Sequence, residues 1–260
     1  MKLGLSDKVA FVAGASRGIG FAIAAGLAAE GCKLAITARS EAALMFAADR
    51  LSATTGPGRI LAIACDMGDE TAVANAIERA ETELGPIQAA VANAGSGAAR
   101  SGIELTRADW QAAMEANLFP ATLLASALLP RMVARRQGSL TFMSSIAGSE
   151  AIRAPIPYAA AKAALDMAMK SYAQQVGSAG VRVNAVAPGN VFVPGGAWAR
   201  KFEDVSAKIQ FNEYIQREVP LRRFATAREI ADVVVFLASA RASFLTGTVV
   251  AVDGGQLRSV

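Results

Sequence analysis

Lys8-Val-Ala-Phe-Val-Ala13 runs straight into Gly14-Ala-Ser-Arg-Gly18-Ile-Gly20, and an Ala-rich stretch follows to about Glu30. A short apolar run, a cluster of glycines and a segment of helix formers read as strand, turn and helix. Glycines let the backbone approach a pyrophosphate closely, and the unpaired N–H groups at a helix start favour its charge. The spacing is G-x-x-x-G-x-G, which differs from the G-x-G-x-x-G dinucleotide fingerprint. A glycine turn can also bind nothing; its place at the first βα junction is what points to a phosphate.

The same alternation continues along the chain. Strands are expected to begin near Lys8, Lys33, Arg59, Gln88, Gly138, Val181 and Thr248, and helices near Gly18, Ser40, Asp69, Thr106, Pro155 and Thr226. Val181-Arg-Val-Asn-Ala-Val-Ala187 is nearly all apolar, as a strand covered on both faces should be. The pattern predicts an α/β fold, a doubly wound parallel sheet of seven strands with helices on both faces and right-handed crossovers. No linker divides residues 1–260, so a single domain is expected. In such sheets ligands sit at the carboxyl ends of the strands, where Gly14, Asp66, Asn93, Ser145 and Pro188 all fall. Residues 190–223 break the rhythm with Pro194-Gly195-Gly196, Trp198, Phe202, Phe211 and Tyr214. An excursion of that length after a strand end is expected to be a substrate lid hinged at the glycine pair, with 196–201 setting specificity; the bland alternative is a surface loop.

Tyr158-Ala-Ala-Ala-Lys162 carries the chemistry, with Ser145 thirteen residues upstream. Positions i and i+4 share a helix face, so the ammonium can lie near the phenol. A nearby cation should lower the Tyr158 pKa and make it a usable acid, while Ser145 holds a carbonyl oxygen from a second side.

Composition narrows the classes. Apolar residues make up 53% and charged ones 18%, which argues against disorder. The absence of histidine removes Ser-His-Asp hydrolysis and most transition-metal sites, and no metal is expected. Leu118 to Pro130 is too short to span a membrane, and no signal peptide is read at the N-terminus. Cys32 and Cys65 lack metal or redox spacing and read as reduced residues of a cytoplasmic protein. The net charge of +4 is carried by scattered basic residues, densest at Arg131/Arg135/Arg136 and Arg217/Arg222/Arg223. No aromatic platform accompanies them, so nucleic acid is not an expected partner.

Taken together, the glycine spacing, Asn93-Ala-Gly95, Asn117, Ser145, Tyr158-x-x-x-Lys162 and Pro188-Gly189 resemble the single-domain short-chain dehydrogenase/reductases, a Rossmann-fold family, over Asp7 to Gly255. Within that family the likeness is to the 3-oxoacyl-carrier-protein reductases. The resemblance implies that Gly14, Ser16, Arg17, Gly18, Ile19 and Gly20 hold the pyrophosphate turn, that Asp66 touches adenine, and that Asn93 and Gly95 run along its ribose. It implies Ser145 as the carbonyl-orienting group, Tyr158 as the acid/base and Lys162 as partner of both Tyr158 and the nicotinamide ribose. Asn117 would hold a proton-relay water, and Pro188-Gly189 would flank the nicotinamide. A homotetramer is also implied, and the apolar Leu118–Leu129 and Pro155–Val176 helices would supply interfaces if they were not buried against the sheet. Three positions depart from the family: Ala13 and Ala92 replace its usual Thr and Asn, and Val193 replaces the Thr that contacts the nicotinamide amide. Ala179 stands where a carrier-docking basic residue is common, so a sugar, polyol or other secondary-alcohol substrate is equally open.

The second strand ends in Ala38-Arg39 where an NAD-preferring site carries Asp or Glu, and Arg17 adds a second guanidinium. A planar guanidinium suits a phosphate, so the expected cofactor is NADP(H). The expected activity interconverts a ketone and a secondary alcohol on a small-molecule substrate. A non-catalytic NADP(H)-binding regulator and a Ser-Lys hydrolase using Ser145 and Lys162 are the alternatives.

Overall fold

β1 (Val9–Ala13) is buried at every position, with Val9, Phe11 and Ala13 packed into one apolar cluster and Ala10 and Val12 into another on the opposite face. That alternation is what a strand sandwiched between two helical layers requires. The description comes from a computed structural model and covers residues 2–55, 58–194 and 204–259. β2 (Lys33–Ala38), β3 (Ile60–Ala64), β4 (Ile87–Ala92), β5 (Gly138–Met143), β6 (Val181–Pro188) and β9 (Val249–Val252) complete a seven-stranded parallel sheet in the order β3-β2-β1-β4-β5-β6-β9. Short strands β7 (Val191–Phe192) and β8 (Ala225–Thr226) pair apart from it. Each strand of the large sheet begins within a residue of its expected start. The order reverses between β1 and β4, which opens a crevice at their carboxyl ends.

α1 (Gly18–Ala29), α2 (Glu41–Thr55) and α8 (Ala227–Ala238) bury Ile23, Leu27, Leu44, Leu51, Ile230 and Val234 on one face. α3 (Glu70–Leu84), α5 (Phe119–Arg135) and α6 (Ile156–Val176) bury Val73, Ile77, Leu124, Leu128, Leu165 and Met169 on the other. Caps explain why several starts were legible: Asp69 accepts from Ala72 N at 2.9 Å, and Thr106/Asp109 and Thr226/Glu229 form reciprocal capping boxes.

Two helices begin without a start signal in the sequence: the first was expected only as an apolar helix over Leu118–Leu129, and the second was not anticipated. α5 follows α4 (Arg107–Asn117) after a break at Leu118, which offers no side-chain cap. Pro120 has no N–H for the Ala116 carbonyl, so one helical run becomes two. α7 (Val205–Glu218) lies inside the expected excursion; among its described side chains Ile215 alone is buried. The combined run Arg107–Arg135 is long and apolar enough to cross a membrane by length and composition, an 18-residue window of it having mean hydropathy 1.4. Its apolar stripe is nevertheless packed into the core, as in the core helix of a globular fold. Arg131 pairs with Glu78 and Glu81, Arg135 with Glu81, and Arg223 with Glu229, which neutralises these basic groups locally.

Candidate active site

The glycine turn has the conformation that its sequence requires. Gly14 (φ +69°) and Gly18 (φ +63°) are left-handed, and a Cβ on Gly20 would stand 2.1 Å from Gly14 O. Asn93, at the end of β4, donates from Nδ2 to Gly14 O at 3.0 Å, so its side chain braces the turn. Ala15 N donates to Thr37 O at 2.9 Å, which sets the tip of β2 beside that turn. Arg17 precedes α1 without capping it, and among the described residues no side chain bonds the first N–H groups of the helix. A concave, side-chain-free backbone at a helix start fits a pyrophosphate. Arg17 and Arg39 are both exposed at this edge, and no ion pair is made by either among the described residues. Asp66 is exposed past β3, its Oδ1 accepting from Gly68 N at 3.0 Å. Ser16 and Ile19 are half-buried in the turn.

Ser145 follows β5 and caps a 3-10 turn at Ile146–Gly148, its Oγ accepting from Ala147 N at 3.2 Å. With a lone pair so engaged, the hydroxyl hydrogen is free to point outward and donate. Tyr158 sits in the first turn of α6, behind Pro157, with its hydroxyl close enough to that of Ser145 for the serine to favour the ionised phenol. Lys162, one turn on, is buried and donates from Nζ to Met143 O at 2.8 Å, tying the helix to the end of β5. Asn117, at the break between α4 and α5, is buried; its Nδ2 donates to Ala113 O at 3.1 Å and its Oδ1 accepts from Ser96 N at 3.0 Å. That bond folds the loop after β4 over the lysine: a Cβ on Gly95 would lie 3.2 Å from Asn117 Oδ1 and 3.7 Å from Lys162 Nζ. Pro188 is buried, and Gly189 N donates to Val252 O at 3.0 Å, with no room for a Cβ beside Asp253.

The electrostatics correct one expectation. Burial raises the Tyr158 pKa above its ordinary value, and only the Ser145 hydrogen bond pulls the other way. Lys162 does not lower it here, because its ammonium lies 5.9 Å from the ring centre and is engaged by the Met143 carbonyl. Burial also pulls Lys162 down to about 8, opposed by the negative charge of Asp166. The sequence reading missed Asp166 and Ser144, which lie next to this set; continuing the i+4 spacing from Lys162 reaches Asp166. Val193 faces the glycine turn, its Cγ1 3.3 Å from where a Gly18 Cβ would be. Gly195, Gly196, Trp198 and Phe202 lie outside the described residues.

This constellation on this topology is matched throughout the chain. The family described as enoyl-(acyl carrier protein) reductase matches residues 14–256. The chain is a short-chain dehydrogenase/reductase. It is 35% identical over 254 residues to the 3-oxoacyl-[acyl-carrier-protein] reductase of Escherichia coli (strain K12), covering 98% of this chain and 99% of that one. The corresponding reductase of Mycobacterium tuberculosis (strain ATCC 25618 / H37Rv) is 34% identical over 249 residues, covering 94% and 91%. Among solved structures, L-sorbose reductase from Gluconobacter frateurii, complexed with NADPH and L-sorbose, superposes with a TM-score of 0.93 at 33% identity over 100% of both chains. A hydrolytic Ser–Lys pair does not fit the geometry of this short-chain dehydrogenase/reductase, since Lys162 Nζ is engaged by Met143 O and Ser145 Oγ by Ala147 N.

Proposed function

We propose that the chain is an NADP(H)-dependent oxidoreductase that interconverts a ketone and a secondary alcohol. The observation that carries this reading is the convergence of the Ser145 and Tyr158 hydroxyls beside buried Lys162 at the end of β5. Two donors aimed at one point suit an oxygen that gains charge and then a proton. The family description names an enoyl reductase and the relatives matched over nearly their whole length are 3-oxoacyl reductases; both reactions place charge on a substrate oxygen, and it is the full-length relatives that favour a ketone.

Gly14, Ser16, Arg17, Gly18, Ile19 and Gly20 would hold the cofactor pyrophosphate, with Arg17 and Arg39 on the 2′-phosphate. Asp66, Asn93 and Gly95 would line its adenine side, and Tyr158, Lys162, Pro188 and Gly189 its nicotinamide side. Bound there, the nicotinamide supplies or accepts the hydride. Ser145 donates to the substrate oxygen and fixes its position, while Tyr158 passes its proton to the same oxygen. The raised Tyr158 pKa keeps that proton in place until the oxygen becomes basic. Lys162 would hold the nicotinamide ribose beside Tyr158, and Asn117 holds the loop that closes over the lysine, where a relay to solvent would begin.

Residues 1–260 form one dinucleotide-binding unit, and the 190–223 excursion serves as the substrate lid. In support, α7 stands largely off the core, and its Tyr214 reaches it through Gln256, which also binds Asn190. A homotetramer is the assembly proposed. Much of α5 and α6 is buried against the sheet, yet Phe119, Ile156 and Met167 are 47%, 46% and 68% exposed, leaving apolar surface for a second copy. A monomeric mass by light scattering at micromolar concentration would refute it. The cytoplasm is the proposed location, in keeping with buried Cys32 and Cys65, whose thiols burial raises to about 12 and about 11.

Tyr158→Phe tests the central assignment. Turnover should fall by about 10²–10⁴ with NADPH affinity nearly intact. Near-normal turnover would reject Tyr158 as the acid.

A further inference from the structure

We propose that Asp166 is a positioning residue for the Lys162 ammonium: its buried carboxyl lies one turn further along α6, outside the 4.0 Å of a direct ion pair, and the Gly148 turn packs on both residues. The inference rests on the oxidoreductase reading above and extends it.

Asp166 sits in the middle of α6, where a carboxylate gains nothing from the helix dipole. A lysine preceding an acid by four residues is also the poorer order for an i,i+4 pair, so helix stability does not explain the residue. Its surroundings are costly for a carboxyl. Asp166 Oδ1 and Ser144 Oγ are both buried and neither has an aligned hydrogen-bond partner among the described residues. The hydroxyl nevertheless lies near enough to favour the ionised carboxyl, so a small rotation about the Ser144 side chain would complete the bond. On the other side a Cβ on Gly148 would come within 3.0 Å of Asp166 Oδ2 and 2.9 Å of the Lys162 main chain. Glycine at 148 thus lets the turn that follows Ser145 settle directly on this carboxyl. Ser144, Ser145, Gly148, Lys162 and Asp166 form one packed unit at the end of β5. An apolar side chain would fill the same space without burying an unpaired oxygen.

The carboxyl's effect falls on Lys162. From α6 the lysine faces Tyr158 and Asp166, from α4 the neutral Asn117, and from the end of β5 the Met143 carbonyl with Ser144 and Ser145. Burial works against its ammonium and Asp166 works for it, the one charge among the described residues that acts on it. Asp166 is itself raised by burial and lowered by Ser144 and Lys162, so each group favours the other's ionised form. With Lys162 near 8, roughly nine-tenths of it is charged at neutral pH. Loss of the anion should lower its midpoint by about one pH unit.

The experiment compares Asp166→Asn with the unmodified protein, following Lys162 by NMR of ¹³Cε-lysine in the free protein and turnover across pH. The Lys162 midpoint should drop by about one unit. Turnover should be almost unchanged near pH 6, about two-fold lower near pH 7 and about five-fold lower near pH 8, as the alkaline limb moves with the lysine. Ser144→Ala should move both in the same direction by less, because it weakens only the ionised carboxyl. An unmoved Lys162 midpoint in both variants, or a loss of turnover equal at every pH, would overturn the proposal and leave Asp166 a packing residue. The lysine titration uses no substrate, so its outcome is separate from that of the Tyr158 test.

Discussion

Replacing Gly20 with alanine adds one methyl group where the structure has no space for it. Its Cβ would lie 2.1 Å from Gly14 O and 2.5 Å from Asn93 Nδ2, the two atoms whose 3.0 Å hydrogen bond fixes the glycine turn. Restoring ordinary contact requires a displacement of about 1 Å or more, and neither side yields easily. Gly14 is held at the end of a buried strand, and Gly20 sits in the first turn of a helix packed on the sheet. Overpacking of this kind costs about 1–3 kcal/mol, or roughly 2–12 °C in Tm for a chain of this size. The effect on cofactor binding should be larger, because a misplacement of about 1 Å in a positioning element is worth about 10²-fold. Two companion variants separate space from backbone strain. Gly18→Ala meets, among the described residues, only the Val193 side chain, at 3.3 Å from Cγ1, but sits at φ +63°, so it should lose about 1–2 kcal/mol of stability and less affinity. Gly97→Ala meets nothing within 4 Å and should change neither. Thermal melts with and without NADPH, together with fluorescence titration, measure both quantities. If Gly20→Ala bound NADPH as tightly as the unmodified chain and melted at the same temperature, the reasoning about the turn would be wrong.

Ala38→Asp with Arg39→Leu should reverse the kcat/KM preference from NADPH to NADH, through lost phosphate pairing and added like-charge repulsion. An unchanged ratio would place the 2′-phosphate elsewhere. Hydrogen exchange over 204–223 should slow markedly when cofactor and substrate are both bound, as a closing lid requires. Equal protection in the free, cofactor-bound and fully loaded states would mean a fixed surface excursion, with specificity then sought at 146–157.

Much of this protein is written locally. Clustered glycines, the apolar strand runs and caps such as Asp69, Thr106 and Thr226 act over a few residues, so they located the strands of the main sheet and six of the helices. The spacing of Tyr158 and Lys162 followed from helix geometry in the same way. α5 was legible only from its apolar run, since it starts at an uncapped break, and α7 escaped because its described surface is mostly exposed and lacks a strong apolar stripe. Only the tertiary structure brought Asn93 onto Gly14, seventy-nine residues away, and Asn117 over Lys162. It also decided the charges. The spacing of Tyr158 and Lys162 suggested a lowered phenol pKa, whereas burial raises it and turns the ammonium toward Met143 O. Asp166 gained its meaning in the same way. Backbone preference is set by near neighbours along the chain, but the free energy of a charge depends on water excluded by, and partners supplied from, segments far away in sequence.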